Sequence, residues 1–220
     1  MDSTIIYMII MIVILILLLA GYYYYYWAPG QLNTNKYKMS LLTTETVFDE
    51  KYTNNYEVQT LVTNRDTFMV PKLGYGITFA WEMYIPTLNG NDQWQTSYNH
   101  LKPIISMNDS PVISYHPKKN YLSIVVKYKN NPFYSQYAEL KFTEMKPQKW
   151  AKYILVLQDR NVYLYINGVL QSSKILPSVP VIYDITSEII LGEVNNNFLG
   201  KIKNLSVYPY PLSYNEVSTI

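Results

Sequence analysis

Residues 5–20 form an unbroken apolar run without a charge, and they lead through Gly21 into Tyr22, Tyr23, Tyr24, Tyr25, Tyr26 and Trp27. No other feature restricts the chain so severely. A segment that is apolar on every face has no side to turn to water, so it is either enclosed by protein or placed in lipid. Bilayer hydrocarbon about 30 Å thick takes roughly 20 helical residues at about 1.5 Å each, a length that the run and the first tyrosines provide. Tyrosine and tryptophan carry a ring suited to the acyl boundary and a polar tip suited to headgroups. Residues 1–27 are therefore expected to form one transmembrane helix with an aromatic belt at the membrane interface.

A cleaved secretory leader is set aside because residues 1–4 hold Asp2 and no Lys or Arg, and because the apolar run is long for a leader. A buried core helix is set aside because such helices are rarely apolar all round at a chain terminus. The first basic residues past the run are Lys36 and Lys38, and the N-terminal flank has none. That bias puts the remainder of the chain on the cytoplasmic side of a single-pass membrane protein. Zero cysteines agree with that side and remove both disulfides and Cys/His zinc sites.

Residues 28–40, which include Pro29 and Gly30, read as a short stalk, and residues 41–220 as one domain. A composition of 49% hydrophobic and 15% charged residues fits a folded module rather than a disordered tail. A net charge of +2 without any Lys/Arg run excludes a nucleic-acid partner. The 24 tyrosines, with abundant Asn, Ile and Lys, follow A/T-rich codons, so their number alone does not mark a binding device.

Strands punctuated by turns dominate the domain, with no clear 3.6-residue period. Residues 77–85 and 121–128 are rich in β-branched and aromatic side chains and bounded by Pro, Gly and Asn. Residues 150–158, 162–166 and 169–172 read as three strands joined by turns at 159–161 and at Asn167-Gly168. Asn-Gly between apolar runs is a strong hairpin signal, because both central residues of a type I′ turn need positive φ. Within 162–166, Val162, Leu164 and Ile166 share one face, so Tyr163 and Tyr165 point outward or toward a covering loop. Further strands are expected at 188–192 and 200–208, and many short strands at this spacing predict an all-β antiparallel sandwich.

The order of motifs resembles the laminin G-like, concanavalin A-like jelly roll over residues 68–217. The landmarks are Ile77-Thr78-Phe79-Ala80-Trp81, Lys149-Trp150 with 153–156, 162–168, Ile190-Leu191-Gly192, 198–202, and Val207-Tyr208 with 212–217. Residues 110–122 are also similar to a variant in membrane-anchored proteins of large DNA viruses, which implies a virion internal membrane as the setting. The resemblance spans lectins, adhesion modules, glucanases and structural sandwiches, so it leaves function open. Retaining glucanases of this fold need two carboxylates about 5–5.5 Å apart on one strand, at E-x-D-x-E spacing. That spacing is absent: Glu82 is isolated, and neither Glu139 nor Glu144 has a carboxylate two residues away. No catalytic residue is assigned, and no enzyme activity or bound cofactor is expected.

Calcium is the metal that the resemblance implies, held by loop Asp, Asn and carbonyl oxygens. Asp92 and Asp109 are its candidate ligands, although Asx residues at these positions also suit turns. Trp94 lies among polar neighbours in a loop and, with Asn91 and Asn108, is the candidate contact for a sugar or a protein. Trp81 and Trp150 read as packing residues, and His116 as a loop residue without catalytic partners. The sum is a non-enzymatic, membrane-anchored sandwich. Its partners are expected to be the lipid bilayer and a protein such as a capsid component, with carbohydrate binding or adhesion as the alternative.

Overall fold

The computed structural model describes residues 11, 13–19, 38–48, 54–57, 76–87, 99–107, 109–129, 134–181, 188–193, 196 and 198–220. The chain divides into two compact units, Met1–Lys36 and Tyr37–Ile220. In the first, residues 11 and 13–19 are helical and exposed. No helix among the described residues is long and apolar enough to cross a membrane. The rest of the segment assigned to the anchor, including Tyr22, Tyr23, Tyr24, Tyr25, Tyr26 and Trp27, lies outside the described residues.

The second unit is the antiparallel β-sandwich that the turn spacing predicts. Its strands are β1 (Met39–Leu42), β2 (Thr46–Phe48), β3 (Asn54–Glu57), β4 (Gly76–Tyr84), β5 (Lys102–Met107), β6 (Val112–His116) and β7 (Tyr121–Lys129). They continue with β8 (Ser135–Phe142), β9 (Trp150–Gln158), β10 (Asn161–Ile166), β11 (Val169–Ile175), β12 (Glu188–Leu191) and β13 (Gly200–Tyr208). One sheet runs β1-β13-β4-β9-β10-β11, with β2 also on β13, and the other runs β3-β12-β5-β6-β7-β8.

Period-two alternation decides what each sheet buries. From the first sheet, Ile77, Phe79, Trp81 and Met83 of β4, Tyr153, Leu155 and Leu157 of β9, and Val162 and Leu164 of β10 enter the main core. From the second come Ile105 and Met107, Ile113 and Tyr115, Leu122, Ile124 and Val126, Leu140 and Phe142, and Ile189 and Leu191. Trp81 is fully buried and stacks on Tyr153 at 5.5 Å between ring centroids. On β13 the inward residues are Ile202, Leu205 and Val207, so three steps rather than two separate the first pair. A register irregularity between Lys203 and Ser206 absorbs the extra residue, with Asn204 at φ 52°.

The hairpin of β10 and β11 turns at Asn167 and Gly168, at φ 51° and 78°. The Asn167 side chain accepts from Lys152 N at 2.9 Å, which ties the turn to β9.

The outer face of the first sheet carries a second apolar cluster of Ala80, Ile154, Val156, Tyr165, Tyr208, Tyr210, Leu212 and Val217. The covering element is a C-terminal helix, α1 (Tyr214–Thr219), which the sequence reading did not expect. Ser213 caps it: its Oγ accepts from Glu216 N, and its own N donates to Glu216 Oε2 at 2.7 Å. Thr78, fully buried on β4, pins the approach to the helix. Its hydroxyl donates to Tyr210 O at 3.0 Å and accepts from Leu212 N at 2.9 Å.

The isosteric change Thr78→Val removes both bonds and leaves two buried backbone groups unpaired, at about 1–3 kcal/mol for each group. Urea denaturation is expected to show that loss, with hydrogen exchange rising first across residues 210–217. A midpoint equal to the wild type would refute the role given to this hydroxyl.

Candidate functional site

Only the second sheet presents an outer face without an apolar cluster from the chain's own C-terminus over it, among the described residues. Its rows follow from register. Val112 faces Val125, which faces Glu139; Ser114 faces Ser123, which faces Lys141; His116 faces Tyr121; and Lys127 faces Tyr137. This side, which the C-terminal helix does not cover, is the open face: Tyr137 and Lys141 are exposed on it, Tyr121, Lys127 and Glu139 are half-buried, and Ser114, Ser123 and His116 are buried.

Its side chains are paired with one another. Ser123 Oγ donates to Glu139 Oε1 at 2.6 Å, and Lys141 Nζ lies 3.1 Å from Glu139 Oε2. Lys141 Nζ also stands 5.5 Å from the Tyr121 ring centroid, on whose flank His116 packs at 5.1 Å. A second group sits at the other end, where Lys127 Nζ meets Asp109 Oδ2 at 2.7 Å and Tyr137 donates its hydroxyl to the same oxygen at 3.0 Å. Tyr137 is exposed, as is Tyr134 beside it.

Burial lowers the proton affinity of His116, and the positive charge of Lys119 adds to the effect. Burial alone would raise the pKa of Glu139. Hydrogen bonds from Ser123 and Lys141, with the charges of Lys141 and Lys174, outweigh it and hold the carboxyl below its ordinary range.

The first sheet has a polar strip of its own beyond α1. Lys203 Nζ stands 4.4 Å from the centroid of the Trp150 ring and 3.4 Å from Glu82 Oε2, while Asn204 Nδ2 donates to Glu82 Oε1 at 2.7 Å. Lys201 pairs with Glu45 at 2.7 Å. Each of these lysines has its own carboxylate, so the strip reads as an internally neutralised surface.

The candidate residues from the sequence fare unevenly. Asp92, Trp94, Asn91 and Asn108 lie outside the described residues. Asp109 is described, and its carboxylate is engaged by an ammonium and a phenol rather than gathered with other acids. Among the described residues, no group of three or more His, Asp or Glu side chains is arranged to hold a metal ion. His116 is the last residue of β6 and buried, not a loop residue. Both tryptophans pack as expected, Trp81 in the core and Trp150, half-buried, against its cross-strand neighbour Tyr84 at 5.8 Å. Tyr121, Ser123, Lys127, Tyr137 and Lys141 were passed over. The signal was there in β7, where Tyr121, Ser123, Val125 and Lys127 alternate with Leu122, Ile124 and Val126.

Residues 72–218 match the family described as the concanavalin A-like lectin/glucanases superfamily, in its laminin G form. The chain belongs to this superfamily. No curated protein matches the chain. Among solved structures it is similar to the botulinum neurotoxin type G receptor-binding domain, with 17% identity and a TM-score of 0.54 over 83% of this chain and 43% of that one. The receptor-binding domain of the botulinum neurotoxin C/D mosaic serotype matches at 12% identity and 0.52, over 83% and 45%. The binding domain of Paraclostridial Mosquitocidal Protein 1 matches at 20% and 0.50, over 66% and 36%. At such identities the likeness is one of fold, and the chain spans less than half the length of these solved domains.

Both shifted groups on the open face bind a proton less readily folded than unfolded, so stability rises with pH and is lost as pH drops. The His116 contribution is lost as pH drops below 6.5, and the Glu139 contribution as it drops through the range below 4.5. Denaturation midpoints measured against pH are expected to flatten across the upper window in His116→Gln and across the lower one in Glu139→Gln. Curves that keep the wild-type slope in both variants would show that these groups do not titrate with folding.

Proposed function

We propose that this concanavalin A-like sandwich is a non-catalytic binding module whose open face docks a protein beside a membrane. The observation that carries this reading is the unequal treatment of the two outer sheet faces. One is closed by α1, and the other presents Tyr137 and Lys141, exposed, with Tyr121 and Lys127 half-buried between them. Glu139 and Asp109 are each tied to a lysine, so neither carboxylate of this face is held free for glycosidic cleavage. The polar groups are paired along the sheet rather than converging on a point, which suits a broad protein contact with tyrosines in it.

The charge-free run of residues 5–20 supports a single-pass anchor, and Lys36 and Lys38 support a cytoplasmic or capsid-facing domain. The likeness of residues 110–122 to viral membrane-anchored proteins supports a virion internal membrane, with a capsid component as the docked protein. A lectin-like reading is the second, favoured by the superfamily and by the Tyr121 ring with His116 and Lys141 around it.

Full-length protein carrying a photo-crosslinking amino acid at Tyr137 is expected to give one discrete protein adduct in intact membranes or particles, and none from Tyr214 on α1. The same membranes are expected to retain the chain through alkaline carbonate. An absent Tyr137 adduct together with micromolar binding of defined glycans would replace docking with the lectin reading, and release by carbonate would remove the anchor.

A further inference from the structure

The open face is not electrically even. At the end where β6 turns into β7, Lys118 and Lys119 are exposed, and neither forms an ion pair among the described residues. Lys146, in the segment that follows β8, is exposed and unpaired in the same sense. Lys141 completes the corner from β8, and Lys174 reaches over from β11 to donate to Glu139 O at 2.7 Å. Among the described residues the acids on this corner are Glu139, already held by Ser123 and Lys141, and Glu144. Five lysines against two glutamates concentrate here more positive charge than the +2 of the whole chain.

The turn that carries Lys118 and Lys119 is fastened down. Asn120 takes φ 49°, and its N donates to Pro117 O at 3.3 Å. Its side-chain oxygen accepts from the Tyr115 hydroxyl at 2.8 Å, and its Nδ2 donates to Met145 O at 3.0 Å. Lys119 N donates to His116 Nδ1 at 3.3 Å. Two unneutralised ammonium groups are thus presented from a fixed backbone, with less ordering left to do when an anion arrives. The opposite end of the face, where Asp109 neutralises Lys127, has no such excess.

We propose that this corner receives an acidic segment of the docked protein, and that it sets the orientation of that protein on the open face. The inference rests on the docking reading above. Carboxylates of the segment would take Lys118, Lys119 and Lys146, with Tyr121 beside them. Exposed charges of this kind act mainly on encounter rate and register, and salt screens them.

The test uses the full chain in nanodiscs of phosphatidylcholine, titrated with a short polyglutamate peptide, with polyglutamine and dextran sulfate as comparison probes. Polyglutamate is expected to bind and polyglutamine not, and the double change Lys118→Glu with Lys119→Glu is expected to weaken binding about tenfold or more at low salt. Lys129→Glu makes the same charge change on an exposed lysine at the far end of β7 and is expected to leave binding within about twofold, as a local rather than a global field requires. Equal weakening by Lys129→Glu, unchanged binding by the double variant, or tighter binding of dextran sulfate than of polyglutamate would each overturn the proposal, the last in favour of an anionic polysaccharide. The Tyr137 adduct separates the two levels. If it persists unaltered in the double variant, the docking face stands and the acidic-segment inference falls; if it is absent from the wild type, the docking face itself falls.

Discussion

One hydroxyl governs how the two sides of this sandwich differ. Thr78 sits where β4 faces outward, between Tyr208 of β13 and Val156 of β9, and it satisfies the backbone of Tyr210 and Leu212 at once. A chain leaving β13 must bury its peptide groups to lie on an apolar sheet, and buried peptide groups without partners are costly. Thr78 supplies those partners, so the segment can lie down and Val217 of α1 can complete the cluster with Ile154, Val156 and Tyr165. Among the described residues the other sheet has no such clasp, and its outer face presents lysines and tyrosines, with Ser114 and Ser123 buried between them. The site therefore follows from the way the opposite face is closed.

The same logic separates the two basic regions of the surface. Lys201 and Lys203 lie beside Glu45 and Glu82, and Asn204, raised by the irregularity in β13, adds a hydrogen bond to Glu82. That strip is balanced within itself. Lys118 and Lys119 stand on a turn whose own hydrogen bonds are filled by Asn120 and His116, and neither has an ion pair among the described residues.

Much of the fold was legible because its strongest signals are local. Asn167-Gly168 demands positive φ, and the alternation of Val162, Leu164 and Ile166 against Tyr163 and Tyr165 assigns faces without any tertiary information; the tyrosines do meet a covering segment, with Tyr165 6.4 Å from Tyr214. The short strands β1, β2, β3, β5 and β6 were not legible, since three to six residues seldom show a period, and neither was eight-residue β8, whose first three residues are exposed and show no apolar alternation. Nor was α1, although Ser213 and Glu216 spell a capping box: one helical turn and a half has too few apolar positions to display a face. The open face was missed for a different reason. Ser123 and Lys141 lie 18 positions apart and look ordinary singly, and only the pairing of β7 with β8 sets them together. Trp94 and Asp92 drew attention through composition, which says nothing about register.

The order of strands also fixes how the domain would carry a load. β1 is four residues long, is the first strand of the described chain, and lies antiparallel at the border of its sheet with Met39 opposite Val207. Tension on the chain before Met39 is applied to this strand first, and among the described residues its ladder is the one with β13. β13 itself is held on its far side by nine-residue β4. Because Leu41 and Leu42 of β1 belong to the main core, force from upstream would meet that burial as well as the short ladder. The border strand nearest the upstream chain is thus both the first lever and a part of the core it would have to open.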